Sequence, residues 1–266
     1  MSGTDSTNGH KDATWRGVDF SGVTVVLGVG TGRLVQLLVE QAAASGGNLI
    51  VASRKAAVLG TLMTLRTDTS LTLVQARPRH IPLLAETVDL LVVSGMLRQV
   101  PESKIDVMVD ELWRTLVPGG QLRIADILEP SEAEYNLAWA VRNRIVGKMG
   151  NALNRPTAVS VNVKRAALAM RSRGFDDLKV SILPGFGLTQ AWLEGTVNAA
   201  RTMASRIVDR ELRDDILKHD LERLIAAFHQ GEQRAAERFV LRGTKAGHLA
   251  LDMEASFRES DLFESA

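Results

Sequence analysis

Apolar positions along this chain recur with two periods, and the alternation between them predicts its architecture. A β-branched run from Val23 to Leu27 leads into Gly28-Val29-Gly30-Thr31-Gly32, after which Leu34, Leu37 and Leu38 follow a helical period. That order is strand, tight turn, helix. It returns with strands over Asn48–Ala52, Leu71–Gln75 and Val88–Val93 and a helix over Ala56–Leu65. Ile105, Val109, Leu112 and Leu116 then share one helix face, with Ser103 and Asp106 as a capping pair in front and Pro118-Gly119-Gly120 as the stop. A fifth strand, Gln121–Ile127, precedes a helix opened by the capping box Ser131-Glu132-Ala133-Glu134, and a further helix ends at Gly174. Strands six and seven are predicted over Leu178–Leu183 and Arg238–Thr244. Strands alternating with helices imply a parallel, doubly wound sheet.

Between the last two strands lies a stretch that reads as helical, with Leu212, Ile216, Leu221, Leu224, Ile225 and Phe228 on one face. Gly185-Phe186-Gly187-Leu188-Thr189 forms its approach, and Thr189 is placed to cap the next helix. The organisation expected is a disordered tail over residues 1–14, one domain over 15–245 with a helical insertion at about 188–236, and a C-terminal tail over 246–266. The insertion is a candidate lid, and equally a surface through which two copies could form a homodimer.

Composition narrows the partners. The 266 residues are 45% hydrophobic, enough for one large core. A net charge of +1, from 32 basic and 31 acidic side chains, gives no one-signed field of the kind nucleic-acid or anionic-membrane binders carry. The chain has no cysteine, so disulfides, thiolate nucleophiles and zinc–thiolate sites are excluded. Met1–Thr14 lacks the apolar core of a signal peptide, and no apolar run reaches the roughly 20 residues of a membrane helix. A small-molecule partner and a cytoplasmic location are expected. His80, His219 and His229 belong to no ligand-like cluster, so no metal site is assigned.

Three segments in order now carry a resemblance. They are the glycine loop after Val25-Val26-Leu27, the strand and exit Val88-Asp89-Leu90-Leu91-Val92-Val93-Ser94-Gly95-Met96-Leu97, and Leu112-Trp113-Arg114-Thr115-Leu116-Val117-Pro118-Gly119-Gly120-Gln121-Leu122. Together they resemble the class I S-adenosylmethionine-dependent methyltransferases, the group that includes the ubiquinone and menaquinone C-methylases, over roughly Val18–Lys245. The resemblance implies a Rossmann-like, seven-stranded, mostly parallel sheet with the insertion between strands six and seven. It also implies an enzyme using S-adenosylmethionine. A nicotinamide-dependent dehydrogenase is the rival, set aside because Arg33 stands where its fingerprint wants glycine and because Tyr135, the only tyrosine, is followed four residues on by Trp139 rather than lysine.

By the resemblance, Gly28, Val29, Gly30, Thr31 and Gly32 would cradle the amino-acid end of the cofactor, since glycines let the backbone turn and approach a ligand closely. Ser53, Arg54 and Arg77 would lie by the nucleoside, and Ser94 and Gly95 by the methyl group. Three family acids are replaced here, by Val26, Ser53 and Arg77, so the cofactor would be held without those carboxylates. Arg54, Lys55, Arg77 and Arg79 gather on the same side of the sheet. That rim sustains an alternative, a methyltransferase-fold protein that no longer transfers methyl groups and serves as a binding or regulatory partner, or that takes a different anionic ligand. In the leading reading the acceptor is small and apolar, enclosed by Met96, Tyr135, Trp139, Phe186 and Trp192. Asp126, at the end of the fifth strand, is the candidate general base, or else a capping acid for nearby amides.

Overall fold

The computed structural model describes residues 18–28, 32–65, 70–128, 138–154, 161–231 and 233–247. Seven strands, β1 (Val23–Leu27), β2 (Asn48–Ser53), β3 (Leu71–Gln75), β4 (Val88–Ser94), β5 (Leu116–Ile127), β6 (Phe175–Leu183) and β7 (Arg238–Lys245), form one sheet in the order β3-β2-β1-β4-β5-β7-β6. The first five run parallel. β7 is antiparallel to both β5 and β6, between which it lies. The helices are α1 (Gly32–Ser45), α2 (Ala56–Leu62), α3 (Ile105–Thr115), α4 (Ala138–Ala152), α5 (Val163–Arg173), α6 (Gln190–Ala204), α7 (Arg210–Asp215) and α8 (Leu221–Gln230). Of these α6, α7 and α8 fall between β6 and β7, and a π-helical turn, Ile216–Asp220, joins α7 to α8.

Alternation along the central strands sorts their side chains to two faces. Val25, Leu27, Leu91 and Val93 pack with α3 and α5 through Met108, Val109, Leu112, Ala166 and Met170. Val26, Leu90 and Val92 pack with α1 and α2 through Val35, Leu38, Leu59 and Leu62. Such side chains each contribute several kcal/mol, about 2–5 for truncating a buried leucine such as Leu112 to alanine. Val26, one of the three positions where the resemblance expects an acid, is thus a fully buried core residue. A third apolar cluster gathers around Ile127, the last residue of β5, and is built from α4, α6 and α8.

Several boundaries differ from the sequence reading. Ser103 and Asp106 make no capping box: α3 starts after a 3-10 turn at Glu102–Lys104, its cap residue Lys104 offers no side-chain bond, and Asp106 pairs instead with Arg165 of α5. The fifth strand begins at Leu116 rather than Gln121, because Leu116 pairs with Val88 and the register then shifts between Val88 and Leu90. Pro118-Gly119-Gly120 therefore stops the helix by opening an irregular strand. In the insertion Ile216, Leu221, Leu224 and Phe228 are buried as expected, but Ile225 is 38% exposed, since one helix face cannot also take the residue beside Leu224. Thr189 caps α6 by accepting the Trp192 amide. Gly174 ends α5 in a left-handed conformation, φ 96°, against the Trp113 ring, where a side chain would be both strained and crowded. The Ser131–Glu134 capping box lies outside the described residues.

Candidate active site

The chain crosses over between β1 and β4. β1 continues outward to β2 and β3, while β4 leads to β5, so their carboxyl ends flank the crevice in which open α/β sheets hold ligands. Gly28 leaves β1 with φ 86°, and a Cβ there would lie 2.2 Å from the Ser94 carbonyl oxygen and 2.4 Å from Met96 Cγ. Both the backbone angle and the close approach demand glycine. Across the crevice Gly95 N–H donates to the Ala125 carbonyl at 2.9 Å, and a 3-10 turn, Leu97–Gln99, follows Met96.

Asp126 fixes that turn. Its Oδ2 accepts the Arg98 amide at 3.3 Å, its Oδ1 accepts the Ile127 amide at 2.9 Å, and Arg98 Nε stands 3.4 Å from Oδ1. The carboxylate has no exposed surface. Burial pushes its pKa above the usual carboxylate range, against the opposing pull of Arg98 and the amide hydrogen bonds. Of the two roles expected for Asp126, the geometry displays the amide-capping one.

On the other flank Ser53 ends β2, and its hydroxyl oxygen accepts the Lys55 amide at 3.2 Å, leaving the hydroxyl proton free to donate. β3 lies beside it: the Ala76 amide bonds the Ser53 carbonyl, and Gln75 Nε2 bonds the Arg54 carbonyl at 3.2 Å. Arg77 then enters a tight turn closed by the His80 amide. Arg54, Lys55, Arg77 and Arg79 are all exposed at the ends of these adjacent strands.

The expected acceptor residues divide. Met96 packs against Gly28 and the cluster under α3, whereas Trp139 and Trp192 meet in the cluster around Ile127, with Phe186 against the Trp139 ring outside it. The Trp139 ring lies 5.4 Å from Phe186, edge to face, and 6.1 Å from Trp192, stacked. Asp126 and Ile127, adjacent at the end of β5, join the two groups. Gly32 opens α1, while Val29, Gly30, Thr31 and Tyr135 lie outside the described residues.

Two residues absent from the sequence reading belong to this region, Arg98 and Arg142. Arg142 lies 5.2 Å above the Trp139 ring and lines a cavity of about 550 Å³ between α4 and α6. Trp139 and Arg142 are three apart, which places them on one helix face. Among the described residues no helix is long and apolar enough to cross a membrane, and no three acidic or histidine side chains come together as metal ligands.

Known proteins place this geometry. Residues 25–124 match the family described as Methyltransferase domain. No curated protein matches the chain by sequence. Among solved structures, a cyclopropane-fatty-acyl-phospholipid synthase-like protein from Lactobacillus casei is similar with a TM-score of 0.65 at 14% identity, over 88% of each chain. A protein of Bacillus halodurans assigned as a methyltransferase is similar with a TM-score of 0.53 at 12% identity, over 84% of this chain and 92% of that one. A phosphoethanolamine N-methyltransferase of Haemonchus contortus, solved with S-adenosylhomocysteine and phosphomonomethylethanolamine, gives 0.51 at 13%, over 90% and 52%. None of the three is described as a quinone C-methylase.

Proposed function

We propose that this chain, whose residues 25–124 match the Methyltransferase domain family, transfers the methyl group of S-adenosylmethionine to a small, largely apolar acceptor. One observation carries the reading: at the end of β5, Asp126 holds the turn that follows Met96 at the crevice, and the next residue, Ile127, packs in the cluster that contains Trp139 and Trp192. A Haemonchus contortus protein of the same fold holds the demethylated product of this cofactor.

The described residues suit the cofactor in kind. Ser53 keeps a hydroxyl proton for a ribose oxygen, and a Cβ at Gly95 would meet only Arg98 Nη2, at 3.3 Å, so the backbone there is open to a ligand. In this reading the loop from Gly28 through Val29, Gly30, Thr31 and Gly32 holds the amino-acid end. Arg54 and Arg77 flank the nucleoside, and Ser94, Gly95 and Met96 border the reacting carbon. S-adenosylmethionine supplies a methyl group already activated for transfer. The protein then has to align the acceptor and exclude water, which proximity and desolvation accomplish without a universal catalytic side chain. Trp139, Phe186, Trp192 and Tyr135 wall the acceptor, and Asp126 acts by holding the Leu97–Gln99 turn, and with it Met96, in place.

Calorimetric titration with S-adenosylmethionine and S-adenosylhomocysteine, with NADP as an anionic control, tests this. Saturable binding of the first two, absent in Gly28→Val, is expected. A folded sample that binds neither, or that binds NADP in their place, would overturn it.

A further inference from the structure

The cavity between α4 and α6 has an apolar wall and one charge. Ile145, Met149, Trp192, Ala199 and Met203 line it, and among the described residues Arg142 is its only charged side chain. Its volume, about 550 Å³, suits a ligand of drug-like size. The guanidinium is stacked on Trp139, and its one hydrogen bond among the described residues goes from Nη1 to the neighbouring Asn143 Oδ1 at 2.9 Å. No carboxylate among the described residues pairs with it.

Further donors lie close to it on the helix. Trp139 Nε1 and Asn143 Nδ2 are buried N–H groups that find no acceptor among the described residues. Neither group can accept a hydrogen bond at nitrogen, and a buried donor left unmade costs free energy. Burial, and after it the charge of Arg98, lowers the Arg142 pKa to about 10. A cation held under those two pressures gains from any anion brought beside it. Arg98 has Asp126 as its counterion, whereas no carboxylate among the described residues answers Arg142.

We infer that the molecule filling this cavity is an amphiphilic anion, its charged end received by Arg142, since Trp139 Nε1 and Asn143 Nδ2 are enclosed and do not line the cavity, and its apolar body lying between α4 and α6. This rests on the methyl-transfer reading in one respect, that it names the acceptor's chemical class. The anionic end is a carboxylate or a phosphate ester, because a guanidinium binds both through paired N–H donors.

The full chain is titrated by calorimetry at pH 8, where carboxylic acids are ionised, with decanoate, decyl phosphate, decanol and decylamine, each below its micelle concentration. S-adenosylhomocysteine is titrated into the same samples. Decanoate or decyl phosphate should bind at least about tenfold more tightly than decanol, the value of one charge-assisted hydrogen bond, and decylamine should bind weakest. The tighter of the two anions identifies the end group. Arg142→Met, which keeps the apolar stem, should erase the preference for anion over alcohol. A second variant guards against misfolding: a Cβ at Gly195, on the α6 wall, meets nothing within 4 Å, so Gly195→Trp can project into the cavity without a clash at its base. It should lose the decyl ligands and keep S-adenosylhomocysteine. Decanol binding as tightly as both anions, anion preference surviving Arg142→Met, or unchanged decanoate binding in Gly195→Trp would each overturn the inference. Loss of S-adenosylhomocysteine binding with anion preference intact would instead sink the methyl-transfer reading alone.

Discussion

The sheet and the helical group beside it treat their polar side chains differently. Around the sheet, three charges are answered locally: Asp126 by two amides and Arg98, Glu111 by Arg114 and the Ile81 amide, Lys245 by Glu86 and the carbonyls of Trp113 and Leu116. In the α4–α6 region Arg142, Trp139 and Asn143 present donors that nothing among the described residues satisfies as fully. Unsatisfied buried atoms are not confined to this region, since the Thr24 hydroxyl of β1 also lacks a partner among the described residues, so the contrast is one of where donors cluster.

The largest effect should come from breaking the scaffold at its tightest point. Gly28→Val meets the Ser94 carbonyl and a positive φ together, and urea unfolding should show a loss of about 3 kcal/mol or more. Next, Glu111→Gln removes a carboxylate that ties α3 to the loop ahead of β4, at a cost of about 2 kcal/mol at neutral pH. The hydrogen bond from Arg114 lowers the Glu111 pKa, so this stabilisation is complete above its ordinary value and is lost as pH falls through the lowered one. Wild type and variant should therefore converge in acid. Asp126→Asn sharpens the contrast, because burial raises the Asp126 pKa and the fold there favours the protonated form. The advantage of wild type over Asp126→Asn should grow as pH falls through that raised value, the opposite slope from Glu111, in urea titrations run from pH 7 downward. Parallel slopes would show that the two acids are not held in contrasting ways. Smallest, Gly195→Ala should stabilise α6 by up to about 1 kcal/mol, since the position is helical and its Cβ would be free of contacts.

Legibility followed the same division. β1 and β3 stand where apolar runs and flanking turns predict them; β1, buried along four of its five residues, writes itself as a continuous, largely β-branched segment. The start of β5 was hidden because Pro118-Gly119-Gly120 reads as punctuation, although here the strand runs through it. Asp106 looked like a capping acid, and only the packing of α5 on α3 supplies Arg165 as its partner. At the site, Gly28 and Ser94 could be placed from their motifs. Arg142 could not, because a sequence with many arginines does not say which of them ends up over a tryptophan and beside a cavity. That needed the relative placement of α4 and α6, which no local pattern encodes.

β7 lies between β5 and β6, and this sets a timetable for synthesis. When the ribosome has made the chain as far as Leu183, β6 has no neighbour to pair with, and β5 shows one bare edge of backbone amides and carbonyls. Both wait while α6, α7 and α8 are translated, until Arg238–Lys245 emerges to close the gap and Lys245 latches onto the carbonyls of Trp113 and Leu116. During that interval the nascent chain carries unpaired strand edges, the kind of surface that chaperones shield and that drives aggregation when translation stalls. A chain shortened anywhere ahead of Arg238 would keep that vulnerability for its whole lifetime.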